Sequence, residues 1–124
     1  LFQEVLQADP QFAPAWARLG YSQAIAKETS KAEASLRKAI DCDPEYTPAR
    51  KNLCATLRQR GDRDDAQSLL DDGIALAPRD VSLRILAAEN LLRMKRTSQA
   101  LAQARRALEL DPGNAKAQQI LNGR

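Results

Sequence analysis

The sequence contains no histidine. That removes imidazole metal ligands, histidine general bases and every Ser-His or Cys-His dyad. Its two cysteines are too few for a disulfide framework or a four-thiolate zinc site. Cys42 and Cys54 fall at apolar or small helix positions and read as buried, structural thiols. Aromatic residues make up only 4% of the chain against 44% hydrophobic residues, so Leu, Ile and Ala must build the core. No apolar run approaches the ~18 residues of a membrane span, so no membrane insertion by this segment is expected. A large excess of charge is missing too: 19 Lys and Arg against 16 Asp and Glu leave +3. The doublets Lys95-Arg96 and Arg105-Arg106 are short and lack interleaved aromatics, so no nucleic-acid partner is expected. The acidic stretches at Asp62–Asp65 and Asp71-Asp72 lack the glycine and glutamate spacing of a calcium loop. No metal, no cofactor and no catalytic constellation is expected, and hence no enzyme. The opening Leu1-Phe2-Gln3 reads as the interior of a helix, so the sequence is taken as a segment of a longer chain.

What is present is a repeat. Prolines stand at Pro10, Pro44, Pro78 and Pro112, each 34 residues after the last. The same offset links Ala32, Ala66 and Ala100, and also Ala39, Gly73 and Ala107. Apolar residues follow it in Leu6, Ile40, Ile74 and Leu108, and in Leu19, Leu53, Ala87 and Leu121. Within a period the apolar spacing is i, i+3, i+4, as in Leu36, Ala39 and Ile40, which predicts helix.

Break signals divide each period into two helices. Gly61-Asp62, with Asp65 three residues on, predicts one start, Ser30 with Glu33 forms a capping-box pattern, and Thr97 or Ser98 can cap the third. The second helices must stop before Asp43-Pro44, Ala77-Pro78 and Asp111-Pro112, because proline disfavours helix in the residue before it. Pro14 and Pro48 suit a first helical turn. The resulting map is a partial helix at 1–8, pairs at about 13–26/30–42, 47–60/62–76 and 80–94/97–110, and a last helix from about 114.

The pattern Trp16-x-x-Leu19-Gly20, followed by Ala32-x-x-x-Leu36, Ala39 and Pro44, resembles the tetratricopeptide repeat, whose period is 34. The resemblance implies an all-α, right-handed α-solenoid of stacked antiparallel helix pairs, a superhelix. It divides the chain into the second helix of a preceding repeat at 1–12, three repeats at 13–46, 47–80 and 81–114, and the first helix of a following or capping repeat at 115–124. The chain departs from the family at its tryptophan position, which becomes Arg50 and Arg84, and at its tyrosine position, which holds Gln23, Leu57 and Leu91. The usual phenylalanine position holds Leu36, Leu70 and Ala104.

In the family the first helices line a concave groove that receives an extended peptide or a partner helix. The family's register puts Arg18, Tyr21, Lys51, Asn52, Ala55, Arg58, Ile85, Leu86, Glu89, Arg93, Lys116 and Gln119 on that groove. First-helix windows carry nine bases (Arg18, Arg50, Lys51, Arg58, Arg60, Arg84, Arg93, Lys116, Arg124) against Glu89 alone, a net of +8. A wall of one sign attracts opposite charge, so the expected function is a non-catalytic scaffold that binds an acidic or polar peptide or protein partner. The carboxylate clamp that grips Hsp70 and Hsp90 tails needs Lys and Asn, then Asn, then Lys and Arg. Here those positions read Ala17 and Tyr21, Asn52, then Ser82 and Leu86, which disfavours that partner. Two alternatives stand beside the scaffold: a self-associating or docking module of a multiprotein complex, such as a bacterial envelope or secretion assembly, and an accessory repeat of a larger enzyme such as a transferase.

The uniformly small column Ala32, Ala66, Ala100 predicts a close helix contact. Ala66→Leu should overpack it and cost about 1–3 kcal/mol, read as a lowered Tm. An unchanged Tm would mean that the helix phase is wrong.

Overall fold

A computed structural model describes residues 12–123. The partial helix expected at 1–8 and the base Arg124 lie outside them. Seven helices and no strand occur among the described residues: α1 (Ala13–Ile25), α2 (Thr29–Cys42), α3 (Thr47–Gln59), α4 (Arg63–Leu76), α5 (Val81–Arg93), α6 (Thr97–Leu110) and α7 (Ala115–Leu121). The 34-residue offset governs every start, at 13, 47, 81 and 115 for one set and at 29, 63 and 97 for the other. The chain forms two compact units, Leu1–Asp62 and Arg63–Arg124.

In the first unit α1 packs on α2 and on α3, and α2 packs on α3. The α1–α2 contact is close because Gly20 is small. A Cβ on Gly20 would lie 2.6 Å from Leu36 Cγ and 3.2 Å from the carbonyl oxygen of Ala32. Leu36, Ala32, Leu53, Cys54 and Ala49 are all fully buried. Across α2 and the end of α3, Glu33 accepts from Arg37 at 2.9 Å and from Arg60 at 2.7 Å. Burial pushes the Glu33 carboxyl up, but hydrogen bonds and charge from the two arginines outweigh it and hold it below its usual range.

In the second unit α5 packs on α4 and α6, and α7 packs on α6 and α5. Ile85 is buried with Ala107 and Ala117, while Ala88 is buried with Ala104 and Ile120. One polar side chain is wholly enclosed: Asn90 donates through Nδ2 to the Arg63 carbonyl and to Gln67 Oε1, both at 3.0 Å. These bonds tie α5 to α4, because a buried amide is costly unless partnered. Asn90 Oδ1 is left without a partner.

The same column of the repeat turns back in the left-handed region at Lys27 (φ 65°), Gly61 (φ 83°) and Lys95 (φ 61°). Each turn closes with the same pair of bonds, such as Lys95 N–H to the Leu92 carbonyl and Arg96 N–H to the Leu91 carbonyl. This is the Schellman ending, which satisfies the last carbonyls of the helix. Only the middle turn uses glycine, for which positive φ carries no Cβ penalty.

Between periods another device recurs. Arg50 Nη2 donates to the Pro44 carbonyl at 2.9 Å, Arg84 Nε to that of Pro78 at 2.9 Å, and Gln118 Nε2 to that of Pro112 at 3.2 Å. These three residues stand 34 apart in the column where the family has tryptophan, so the departure noted in the sequence is a polar clip on the proline turn. Helix starts split into two kinds. Pro14 and Pro48 lie in the first turns of α1 and α3. Asp80 and Asn114 cap α5 and α7, accepting from Leu83 N–H at 3.1 Å and Ala117 N–H at 2.9 Å. The capping box expected at Ser30 does not form. α2 begins at Thr29, so Ser30 lies inside it, and the Glu28 side chain makes no cap bond. Likewise α6 begins at Thr97 after an uncapped Arg96.

Two substitutions separate these effects. Gly20→Ala meets a buried Leu36 with no room to yield, so overpacking of about 1–3 kcal/mol should exceed the ~1 kcal/mol that alanine gains in a helix. Lys95→Gly removes a strain of about 1–2 kcal/mol at positive φ, part of which returns as glycine's greater freedom in the unfolded chain. Thermal unfolding should show a lower Tm for the first and a slightly higher one for the second.

Candidate functional site

The face worth most attention lies within the first unit, between α1 and α3. It carries two open hollows. The larger, about 420 Å³, is lined by Ala17, Arg18, Tyr21, Ser22, Tyr46, Pro48 and Asn52. The smaller, about 230 Å³, is lined by Tyr21, Ala24, Ile25, Lys27, Asn52, Ala55, Thr56 and Gln59. Tyr21 and Asn52 line both, so they form the boundary between the two.

Helix geometry explains the grouping. Arg18, Tyr21 and Ile25 follow i, i+3, i+7 on α1, and Asn52, Ala55 and Gln59 repeat the same spacing on α3. The buried side of each helix is held by small and aliphatic residues, including Gly20 against Leu36 and the enclosed Leu53. The opposite side therefore carries Tyr21, 54% exposed, and Ile25, 64% exposed, with no packing duty of their own. Exposed apolar side chains gathered beside a hollow are the kind of surface that binds something.

Of the residues assigned to the groove, Arg18, Tyr21, Asn52 and Ala55 line these hollows. The other expected residues do not join them. Ile85 is a correction: it is 5% exposed and packs with Ala107 and Ala117, so it belongs to the core. Its column mate Ala17 is also buried, at 3%. Lys51, in the same column, is half-buried and lines neither hollow. Arg58 is half-buried with its Nε enclosed and without a partner, and it also lines neither. Leu86 and Glu89 are half-buried and Arg93, Lys116 and Gln119 exposed; all belong to the second unit and line neither hollow.

The charge count changes as well. Arg50 and Arg84 are turned to the proline carbonyls, and Arg60 is paired with Glu33 and Asp62. Three of the nine bases counted on first helices are thus structural. Among the described residues the charged ones lining the hollows are Arg18 and Lys27, and no carboxylate lines either.

Sequence reasoning missed Ala17, Ser22, Ala24, Ile25, Lys27, Tyr46, Pro48, Thr56 and Gln59. The repeat offset pointed to four of them, because Ala17 shares a column with Lys51 and Ile85, Ala24 with Arg58, and Ile25 and Gln59 with Arg93. Tyr46 precedes its helix, and its column holds one other aromatic, Phe12, before continuing as Asp80 and Asn114.

Among the described residues there is no group of three or more His, Cys, Asp or Glu able to hold a metal. No described helix is long and apolar enough to cross a membrane.

A family model described as tetratricopeptide repeat matches residues 23–89 and again 57–122, two matches that begin 34 residues apart. The chain belongs to the tetratricopeptide repeat family. It has the all-α helical solenoid fold of that family, and tetratricopeptide repeats are typically non-catalytic protein-interaction modules. The curated proteins contain no match to it. Three solved tetratricopeptide repeat structures illustrate the likeness. The chain is 19% identical to MamA (residues 41 to the end) from Desulfovibrio magneticus RS-1, covering 98% of this chain and 69% of that one at a TM-score of 0.80. It is 20% identical to the first repeat domain of Spaghetti (RPAP3) bound to the HSP90 peptide SRMEEVD, covering 93% and 91% at 0.81. It is 16% identical to YrrB, described as having an unusual peptide-binding site, covering 98% and 62% at 0.81. At such identities the likeness extends to the fold.

Proposed function

We propose that this chain is an interaction scaffold that binds an extended peptide segment across the α1–α3 face, at the boundary formed by Tyr21 and Asn52. The observation that carries this reading is the pair of adjoining hollows that share those two residues. Asn52 offers both a donor and an acceptor, which suits a peptide backbone whose own polar groups are unpaired. Tyr21 supplies a large amphipathic surface of the kind that dominates binding energy. Two structurally similar proteins, RPAP3 and YrrB, are described with a bound peptide or a peptide-binding site, which supports the class of ligand.

The residues present disfavour a chaperone tail of the kind named with RPAP3. Such a tail is held by a carboxylate clamp, and here the position needing the first asparagine is Tyr21 and the position needing the first lysine is the buried Ala17. Of the clamp, Asn52 alone is present.

A displayed library of random linear peptides, selected on the 124-residue chain, tests the reading. Selected peptides should bind Asn52→Ala and Tyr21→Ala at least about tenfold more weakly, since one good interfacial hydrogen bond or aromatic contact is worth ~1.4 kcal/mol or more. Helicity should persist, as neither side chain is fully buried. Peptides that bind both variants as tightly as the parent would move the working surface elsewhere.

A further inference from the structure

The two hollows differ in ways that specify what enters them. The larger is walled by Tyr21, Tyr46 and Pro48, with Arg18 at its edge. The smaller is walled by Ala24, Ile25 and Ala55, with Lys27 at its edge. Flat rings and a proline favour an aromatic guest, which stacks offset or edge-on. Short aliphatic walls and less room favour an unbranched or γ-branched aliphatic side chain.

Spacing follows from chain geometry. In an extended peptide, side chains i and i+2 point to the same side, separated by about 6.6–7 Å. Adjoining hollows with one shared boundary match that alternation: residue i fills one hollow, i+2 the other, and i+1 lies over Tyr21 and Asn52 with its side chain turned to solvent. The amide of Asn52 then faces the backbone of that middle residue. Charge completes the pattern, because among the described residues the linings hold the cationic side chains Arg18 and Lys27 and no carboxylate. An interface of this sign selects acidic flanks and rejects basic ones.

We infer that the ligand is an extended acidic segment carrying an aromatic and an aliphatic residue two positions apart, the aromatic in the Tyr46 hollow and the aliphatic in the Ile25 hollow. This deepens the peptide-binding reading proposed above and rests on it.

The test uses four synthetic peptides, blocked at both ends and titrated against the 124-residue chain by calorimetry. Two carry Glu-Phe-Ser-Leu-Glu and Glu-Leu-Ser-Phe-Glu, which sample both chain directions. The third, Glu-Ala-Ser-Ala-Glu, lacks the apolar pair, and the fourth, Lys-Phe-Ser-Leu-Lys, reverses the flanks. One of the first two should bind at least tenfold tighter than the third and fourth. Ala55→Trp, which fills the smaller hollow from an exposed position, should abolish the preference for Leu over Ala and keep that for Phe. Ser22→Trp, exposed in the larger hollow, should do the reverse, and Ala55→Leu with circular dichroism guards against misfolding.

Equal binding of the third peptide, still weakened by Asn52→Ala, overturns the two-hollow pattern and leaves the peptide-binding face intact. Tight binding of the first two that ignores Ala55→Trp and Ser22→Trp also overturns it. Absence of binding by both apolar peptides overturns it too, and selection from the displayed library then decides separately whether the face binds peptides at all.

Discussion

Everything else in this chain depends on how closely neighbouring helices can approach. With only five aromatic residues, the core has few large side chains to fill space, so it is closed by small residues set opposite larger ones. Gly20 lies directly against Leu36. One repeat period on from Cys54, Ala88 occupies the same column as Gly20, and there the facing residue has shrunk to Ala104. Such size compensation keeps interior density without strain, and interiors tolerate departures from it poorly. The enclosed alanines at positions 32, 49, 66, 87, 100 and 117 serve the same constraint.

Close approach alone would not fix where helices begin and turn. That is done by polar devices repeated at the same offset: Schellman endings at Lys27, Gly61 and Lys95, and side-chain clips from Arg50, Arg84 and Gln118 to proline carbonyls. Because cores and turns are closed by these residues, the outer side of α1 and α3 is left with little structural work. Tyr21 and Ile25 stand exposed there for that reason. Stability and binding thus occupy opposite sides of the same two helices, and the arginines that seemed to speak for binding are partly absorbed by the fold.

Much of the fold was legible because its signals are local and repeated. Proline offsets and i, i+3, i+4 spacing predicted each described helix to within about a residue of its bounds. Caps were less legible: Ser30 has the right chemistry, but α2 starts two residues too early for it to act. Of the expected site, Arg18, Tyr21, Asn52 and Ala55 converge, while Ile85 is swallowed by the core that Ala107 and Ala117 leave room for. A charge count on helices does not reveal a guanidinium folded back onto a carbonyl six residues earlier, as in Arg50 and Arg84. Nor does periodicity place Tyr46: its column holds Phe12, Asp80 and Asn114, and its position beside the larger hollow arises from the turn before α3.

The central claim is that one side of α1 and α3 is the working surface. Amide chemical-shift mapping of the isotopically labelled chain, titrated with a peptide selected from the displayed library, tests it most directly. The account predicts that the largest shifts fall on Arg18, Tyr21, Ala24, Asn52 and Ala55, with little change in the exposed residues of α2. Shifts concentrated on Lys31, Arg37 and Lys38, on the outer side of α2, would contradict it.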